Sequence, residues 1–242
     1  MSSEPARVTV MGGSGTVGGA LCRELAQQGA RVAATYHQGE DAARALESEV
    51  GARIAKLDLS DLDAVGPVLE GLADELGGVD ALVNAAAVTS TCDPPRFDAL
   101  ADVSVDGMRR LMDINVLSAL FACRALAPRL RGGNVVLLGS VDGIKPIPTT
   151  VPYAVSKAAL RGLAMSLCKE LGGDDIRANL VAFGVLEEGA SRALPEELKQ
   201  EFLRHAGLRR FGRLAEVTTM VAWFALANSY VTGQTILVDG GL

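Results

Sequence analysis

Short apolar runs alternate along this chain with longer amphipathic segments, and this alternation restricts the fold more than any other feature of the sequence. The apolar runs lie at 7–11, 31–36, 53–57, 81–84, 134–139, 177–182 and 235–238. They do not alternate polar and apolar residues, which is typical of parallel strands covered on both faces. The segments between them are predicted helices, at 17–28, 41–50, 62–76, 105–130, 151–171 and 216–227. The pattern predicts a doubly wound α/β fold, with a parallel sheet of about seven strands and helices on both faces.

The composition is that of a single folded domain. Of the 242 residues, 49% are hydrophobic and 21% are charged, which is close to the globular average and excludes disorder. The chain contains no internal repeat, low-complexity tract or linker, so we expect residues 1–242 to form one domain. The net charge of -6 disfavours nucleic acid or an anionic membrane surface as the partner, because both select for clustered positive charge.

Cysteine and histidine are few and far apart. The four cysteines are Cys22, Cys92, Cys123 and Cys168, no C-x-x-C pair occurs, and the chain has only 2 histidines. We therefore expect no metal site, and thiols that stay reduced. The sequence also shows no signal peptide and no uncharged apolar run of about 18 residues, so a cytoplasmic protein without a membrane partner is predicted.

A glycine-rich turn follows the first predicted strand. The segment 11–19 reads MGGSGTVGG, and both Gly13-x-Gly15-x-x-Gly18 and the spacing Gly12, Gly15, Gly18 fit it. Glycine is needed where a chain turns sharply and lets a pyrophosphate approach the backbone amides at a helix N-terminus. Such a turn can also serve close packing alone, but its place between a strand and a helix favours dinucleotide binding.

The end of the second predicted strand bears on the choice of dinucleotide. Folds that prefer NAD usually place an acid there, which accepts hydrogen bonds from the adenosine ribose. This strand ends Thr35-Tyr36-His37-Gln38, and the next acid is Glu40. We therefore expect NADP(H) to be favoured over NAD(H). No Arg or Lys is present there to attract a 2′-phosphate, and a plain surface turn is the other interpretation of His37.

A serine, a tyrosine and a lysine form the candidate catalytic group. Tyr153 and Lys157 are four residues apart, which places them on one face of a predicted helix. A free tyrosine keeps its proton up to pH ~10, and a neighbouring ammonium is expected to lower this pKa towards neutrality. Ser140 follows the strand predicted at 134–139, at the edge where open α/β sheets bind ligands. The pair alone could be a solvated helix face, whereas its combination with Ser140 favours acid–base catalysis.

With these motifs in order, the whole chain resembles the single-domain branch of the short-chain dehydrogenase/reductase family, and in particular the bacterial 3-oxoacyl-acyl-carrier-protein reductases. Ser140 precedes Tyr153 by 13 residues, as in the family, and the ending at 230–241 reads YVTGQTILVDGG. Further matches are Asp58-Leu59 after the third strand, Asn84-Ala85-Ala86-Ala87 after the fourth, and Asn115 within DINV. The resemblance implies a Rossmann-type sheet.

The resemblance also implies roles for individual residues. Tyr153 would be the acid in carbonyl reduction and the base in alcohol oxidation, and Lys157 would lower its pKa and hold the nicotinamide ribose. Ser140 would donate a hydrogen bond to the substrate oxygen, and Asn115 would kink its helix and hold a water that links Lys157 to solvent. The expected cofactor contacts are Gly12, Ser14, Gly15, Thr16, Val17, Gly18, Tyr36, His37, Asp58, Leu59, Asn84, Ala85, Ala86, Tyr153, Lys157, Gly184 and Val185.

Several positions near the expected cofactor depart from the family pattern. Thr16 stands where a second glycine is most frequent, Ala85 and Ala87 replace Asn and Gly, Phe183 replaces a proline, and Glu188 replaces a common threonine. An acid beside a pyrophosphate is repulsive unless it points away. None of these departures affects the four catalytic candidates, so they bear on cofactor affinity and pose rather than on the chemistry.

Residues 185–210 are expected to form a lid over the substrate. The apolar face of this lid would consist of Leu186, Leu194, Leu198, Phe202 and Leu208, and its polar side of Glu187, Glu188, Glu196, Glu197, Lys199 and Glu201. An apolar lid suits an acyl chain, a polyketide or a hydrophobic ring ketone. A surface helix hairpin with no substrate role is the alternative.

The leading hypothesis is an NADP(H)-dependent oxidoreductase that interconverts a small-molecule carbonyl and a secondary alcohol, as a ketoreductase. A catalytically weak nucleotide sensor or scaffold with the same fold is the alternative, favoured by the departures and disfavoured by the intact catalytic group. An isomerase or dehydratase of the extended branch would need a further substrate domain, which is not expected here. The family resemblance further implies a homotetramer joined through 105–130, 151–171 and 216–242.

Overall fold

Seven parallel strands form one sheet in the computed structural model, which describes residues 4–91, 99–189 and 194–242. The strands are β1 (Arg7–Met11), β2 (Arg31–Tyr36), β3 (Arg53–Lys56), β4 (Ala81–Asn84), β5 (Asn134–Ser140), β6 (Arg177–Phe183) and β7 (Thr235–Val238). The α-helices of the described residues are α1 (Thr16–Gln27), α2 (Glu40–Val50), α3 (Leu62–Leu76), α4 (Val105–Met112), α5 (Ser118–Leu126), α6 (Val151–Glu170), α7 (Glu196–His205) and α8 (Leu214–Leu226). The doubly wound α/β architecture expected from the sequence is confirmed.

Helices cover both faces of the sheet, as strands without polar alternation require. On one face, Leu69 of α3, Leu126 of α5 and Leu160 of α6 pack in a core with the strands. On the other face, Leu25 of α1 and Phe224 of α8 belong to a second core. β5 is buried along its whole length between these two layers, which is why its sequence is a continuous apolar run.

The strand order, β3-β2-β1-β4-β5-β6-β7, reverses direction between β1 and β4. The chain runs outward from β1 to β3 and then returns to place β4 beside β1. Open α/β sheets bind ligands at the carboxyl ends of the strands at such a switch point. Gly12, after β1, lies directly against Ala86, after β4, so the glycine turn stands at this point.

For most elements, the predicted first and last residues lie within two positions of the observed ones. β3 ends at Lys56 instead of Leu57, whereas β5 and β6 each continue one residue beyond the prediction, because Ser140 and Phe183 still pair with each other. Ser140 is therefore the last residue of a strand that is held on both sides.

The segment predicted as one helix at 105–130 is interrupted. A π-helical turn, Asp113–Leu117, joins α4 to α5, and a 3₁₀ turn, Ala127–Arg129, follows α5. The π turn contains Asn115, where the resemblance implies a kink, and such turns are frequent at functional sites. By length and composition Val105–Arg129 is apolar enough to cross a membrane, but 50% of its apolar window is buried inside the molecule, as in a core helix.

Candidate active site

A cavity of about 840 Å³ opens at the carboxyl edge of the sheet, next to the switch point. Its walls are the glycine turn and the segments that follow β4, β5 and β6, together with α6 and α7. The predicted site residues that line it are Ser140, Tyr153, Lys157, Gly15, Thr16, Val17, Gly18, Ala85, Gly184 and Val185. Those that do not line it are Asn115, Gly12, Ser14, Tyr36, His37, Asp58, Leu59, Asn84 and Ala86.

Lys157 is anchored at the base of this cavity. Its side chain is almost fully buried, and its Nζ donates a hydrogen bond to the carbonyl oxygen of Leu138 at 3.0 Å. The same Nζ lies 5.6 Å from the centre of the Tyr153 ring, as the four-residue spacing predicts. Burial lowers the pKa of the Lys157 ammonium to about 8, while the charge of Asp142 acts in the opposite direction.

The pKa of Tyr153 moves against the prediction. Burial raises this pKa well above its usual value, the negative charge of Asp142 raises it further, and a hydrogen bond with Ser140 opposes both. The net shift is therefore opposite to the expected lowering, because withdrawing a phenolate from water is the largest contribution. Tyr153 consequently keeps its proton throughout the neutral range.

Asn115 lies beneath the cavity and ties three elements together. Its Oδ1 accepts a hydrogen bond from the Val88 amide at 2.8 Å, and its Nδ2 donates to the Val88 carbonyl at 2.9 Å. The same Nδ2 donates to Ser156 Oγ at 3.0 Å, and Ser156 in turn donates to the Tyr153 carbonyl. The π turn thereby holds the segment after β4 and the helical turn between Tyr153 and Lys157. The water that the resemblance assigns to Asn115 stays a prediction.

The glycine turn leaves no room for a side chain at Gly12 and Gly18, and little at Gly15. Gly12 has a φ of +79°, and a Cβ on it would lie 2.8 Å from the backbone of Ala86. A Cβ on Gly18 would lie 2.2 Å from the Gly12 carbonyl oxygen, whereas one on Gly15 would lie 3.3 Å from it. Gly15 is exposed at the N-cap of α1 and has no side chain with which to cap the helix. Among the described residues no N-cap side chain therefore occupies the first amides of α1, which lie beside the cavity and suit a pyrophosphate.

Residues at the ends of β2 and β3 meet where the adenosine end of a dinucleotide is expected. His37 Nε2 lies 3.5 Å from a carboxylate oxygen of Asp58. The amide and hydroxyl of Ser60 also donate to Asp58, and these hydrogen bonds, the amide first, hold the pKa of that carboxyl below its usual value. The side chain of Leu59 is buried in the core, so any cofactor contact from this residue would come from its main chain.

A buried donor at the end of β4 supports the fit of a dinucleotide. The Nδ2 of Asn84 is buried and has no hydrogen-bond partner among the described residues. An amide left in this state costs free energy unless a ligand or water satisfies it. Together with the closed glycine turn, this orphaned donor is consistent with a nucleotide at this edge of the sheet.

The segment after β6 supplies part of the cavity wall, and its role as a lid stays a prediction. Leu186, Leu194, Leu198 and Phe202 line the cavity. Leu208 is 61% exposed and does not line it; its assignment is wrong because α7 ends at His205 and the chain turns extended at Ala206. Glu188 and Glu201, which were assigned to the polar side, also line the cavity. Residues 190–193 lie outside the described residues, as does Cys92.

Ser140 contacts an acid, Asp142, that was not among the predicted site residues. Ser140 Oγ donates a hydrogen bond to the Asp142 carboxylate at 2.5 Å, and the Asp142 amide donates to Ser140 Oγ at 3.3 Å. Burial raises the pKa of the Asp142 carboxyl, although hydrogen bonds from Ser140 and Thr149 and the charge of Lys157 oppose this shift. The sequence did offer a signal for Asp142, since an acid stands two residues after the serine that ends the strand.

Lys145, which was also not among the predicted site residues, lines the cavity, and its Nζ lies 2.6 Å from a carboxylate oxygen of Asp239.

A glycine turn at the switch point of a parallel sheet, with a serine, a tyrosine and a buried lysine beside it, defines the class of dinucleotide-dependent oxidoreductases. Comparison with known proteins agrees, since a family model described as "Enoyl-(Acyl carrier protein) reductase" matches residues 13–242. The chain belongs to the short-chain dehydrogenase/reductase family and is an oxidoreductase of that family.

Similar proteins match over nearly the whole chain. The 3-oxoacyl-[acyl-carrier-protein] reductase FabG of Chlamydia muridarum is 31% identical, covering 96% of this chain and 95% of that protein. Carbonyl reductase family member 4 of Danio rerio is 35% identical, with 96% of each chain covered. Among solved structures, a blue fluorescent protein from a metagenomic library in complex with NADPH superposes with a TM-score of 0.90 at 32% identity, covering 98% of this chain and 97% of that one.

Proposed function

We propose that this protein is an NADP(H)-dependent reductase that interconverts a carbonyl and a secondary alcohol on a hydrophobic ketone of acyl or polyketide type. The observation that carries the proposal is the convergence of Ser140, Tyr153 and Lys157 on the cavity into which the glycine turn opens. Hydride addition to a carbonyl builds negative charge on its oxygen, so it needs a proton donor and a hydrogen-bond donor at that atom.

Each residue of this group has a defined task in the proposed reaction. The nicotinamide cofactor, when bound, supplies the hydride. Tyr153, whose raised pKa keeps the phenol protonated, gives its proton to the substrate oxygen. Lys157, 5.6 Å from the Tyr153 ring centre, stabilises the phenolate that is left behind. Ser140 donates to the substrate oxygen, and Asn115 holds the helical turn that bears Tyr153 and Lys157.

The proposed preference for NADP(H) rests on the end of β2. No acid closes this strand, His37 is exposed there, and Ser14 lies near enough that a Cβ on Gly39 would be 2.9 Å from its Cβ. At the end of β2 a 2′-phosphate would meet the His37 imidazole, which Asp58 contacts from the end of β3, and the Ser14 hydroxyl. The solved structure with NADPH is consistent with this choice. In a fluorescence titration we expect NADPH to bind more tightly than NADH, and equal affinities would reject the preference.

The reacting bond is the point at which the proposal is most easily tested. The matching family model is named for an enoyl reductase, whereas the two relatives are named for 3-oxoacyl and carbonyl reduction. A donor pair at one oxygen suits C=O better than C=C. We expect NADPH to be consumed with hydrophobic ketones and not with the matching enoyl compounds. Turnover of the enoyl compounds alone would contradict the proposal, and binding of NADPH without any turnover would favour the sensor or scaffold.

We also propose a homo-oligomer, with a tetramer as the expected form, in the cytoplasm. Large hydrophobic residues are exposed in each of the three segments expected to form interfaces, and they include Val105, Leu120, Val151, Val155, Met165, Met220, Trp223, Tyr230 and Leu237. Large exposed apolar patches mark interaction sites, and these residues are the candidates for such patches. The thiols of Cys22, Cys123 and Cys168 are free, which suits a reducing compartment.

A further inference from the structure

The Ser140 hydroxyl has one proton to donate, and the structure directs that proton to Asp142. The hydrogen bond to the carboxylate is 2.5 Å long, and the Asp142 amide donates to the same hydroxyl oxygen at 3.3 Å. A serine hydroxyl offers a single donor. While Asp142 accepts that donor, Ser140 has none left for a substrate oxygen.

We propose that Asp142 is a positioning residue that decides, by gaining or losing a proton, whether Ser140 can donate a hydrogen bond to the substrate. This inference rests on the carbonyl reduction proposed above. When the carboxyl is protonated, it donates to Ser140 Oγ, and the serine proton turns to the substrate oxygen. When the carboxyl is ionised, it retains the serine proton, and its charge opposes the negative charge that develops on that oxygen.

The backbone keeps Asp142 in this place. Asp142 belongs to the 3₁₀ turn Val141–Gly143, which begins directly after β5. A Cβ on Gly143 would lie 2.5 Å from the Ala158 amide nitrogen, so the turn packs against the backbone of α6 next to Lys157. With the turn fixed between β5 and α6, the carboxyl stays beside Ser140, and its protonation is the variable that remains.

The surroundings of the Asp142 carboxyl act on its pKa in both directions, and the net shift is upward. Burial raises the pKa of Asp142, while hydrogen bonds from Ser140 and Thr149 and the charge of Lys157 oppose this rise. From α6, both Tyr153 and Lys157 sense the negative charge of Asp142, which raises the pKa of each. The other titratable side chains that line the cavity are Lys145, Glu188, Glu201 and His205.

The kinetic test is the pH dependence of kcat/KM for a ketone at saturating NADPH. Above the pKa of Asp142, the wild-type value should fall by about tenfold per pH unit, because only the protonated carboxyl frees Ser140. Asp142→Asn and Asp142→Ala should lose this fall and stay level until Lys157 titrates. Glu201→Gln, which removes a charge from the same cavity without touching Ser140, should keep the wild-type profile shape. A merely structural Asp142 would lower the rate at every pH, and unchanged profile shapes in both Asp142 variants would overturn the proposal.

A second readout requires no turnover. In ¹³C NMR of carboxyl-labelled protein, the resonance lost in Asp142→Asn identifies Asp142, and its midpoint should lie above the ~3.9 of a free aspartate. Ser140→Ala should raise the midpoint further, because it removes a hydrogen bond to the charged form. If Ser140→Ala leaves the titration midpoint of Asp142 unchanged while the wild-type protein reduces ketones, the positioning role of Asp142 is overturned and the proposed function stands. If the midpoint of Asp142 does shift in Ser140→Ala but the wild-type protein reduces no ketone, the proposed function is overturned, and the role of Asp142 in it as well.

Discussion

At the scale of single residues, burial shapes both members of the tyrosine–lysine pair. It raises the pKa of Tyr153 and lowers that of Lys157 to about 8, so it penalises each charged form. When Tyr153 gives up its proton, a phenolate forms near the ammonium, and each charge then offsets the desolvation of the other. In the resting protein Tyr153 therefore keeps its proton. When that proton passes to the substrate, the phenolate and the Lys157 ammonium form an ion pair.

Tyr153→Phe tests this role with little change in packing. We expect turnover of a ketone to fall by at least about 100-fold, because a positioned proton donor contributes ~10²–10⁴-fold. NADPH affinity in a fluorescence titration should barely change, since the ring remains in place. Tyr230→Phe is the matched control, because that tyrosine is 94% exposed and away from the cavity. Near-native turnover of Tyr153→Phe on a confirmed substrate would show that the assignment of the acid is wrong.

The lowered pKa of Lys157 predicts an alkaline limit to carbonyl reduction. Below about pH 8 the ammonium is charged and stabilises the phenolate product of proton transfer, and above it this stabilisation is lost. As the pH rises past this value, the reduction rate should therefore show a second decline, separate from the fall set by Asp142. The charge of Asp142 raises the pKa of Lys157, so in Asp142→Asn, which lacks the first fall, the Lys157 decline should begin at lower pH than the second decline of the wild type. A Lys157 decline at the same pH in both proteins would contradict the electrostatic link.

At the scale of elements, the sequence predicts what depends on local pattern and misses what depends on distant contacts. Uninterrupted apolar runs define the strands because both faces of each are covered. The π turn at Asp113–Leu117 was not predicted as such, because the same residues suit a continuous helix and the turn is held by hydrogen bonds of Asn115 to Val88 and Ser156. Asp142 lies only two residues after Ser140, but its electrostatic effect on Tyr153 depends on the fold, and this effect is what marks it as a site residue.

The glycine turn allows a matched comparison at this scale. In Gly18→Ala, the new Cβ would lie 2.2 Å from the Gly12 carbonyl oxygen, so the turn must shift, and overpacking typically costs ~1–3 kcal/mol of unfolding free energy. In Gly15→Ala, the corresponding distance is 3.3 Å and the backbone φ is -76°, so the cost should stay below ~1 kcal/mol.

Thermal unfolding of both glycine variants without added nucleotide is the measurement. Alanine is the better helix former by ~0.5–1 kcal/mol, so a loss of stability in Gly18→Ala must come from the close contact. Equal melting temperatures for the two variants would show that the turn is looser than the structure indicates.

At the scale of the whole molecule, exposed apolar side chains are concentrated where assembly is proposed. Trp223 and Met220 of α8 are 45% and 36% exposed and line a shallow surface groove with Ala215 and Thr219. Sedimentation should show a species larger than the 25.1 kDa chain at micromolar concentration, and Trp223→Glu should reduce its size. A wild-type protein that sediments as a monomer would refute the assembly.

The central claim is that this oxidoreductase transfers hydride to a carbonyl carbon while Tyr153 protonates the oxygen. Its most direct test is single-turnover reduction of a hydrophobic ketone, mixed with its enoyl counterpart, using NADPH deuterated at the transferred position, with products read by mass spectrometry. We expect deuterium on the carbinol carbon of the alcohol, and a rate reduced by at least about 100-fold in Tyr153→Phe. Deuterium on the former double bond of the enoyl compound, or an equal rate in Tyr153→Phe, would contradict it.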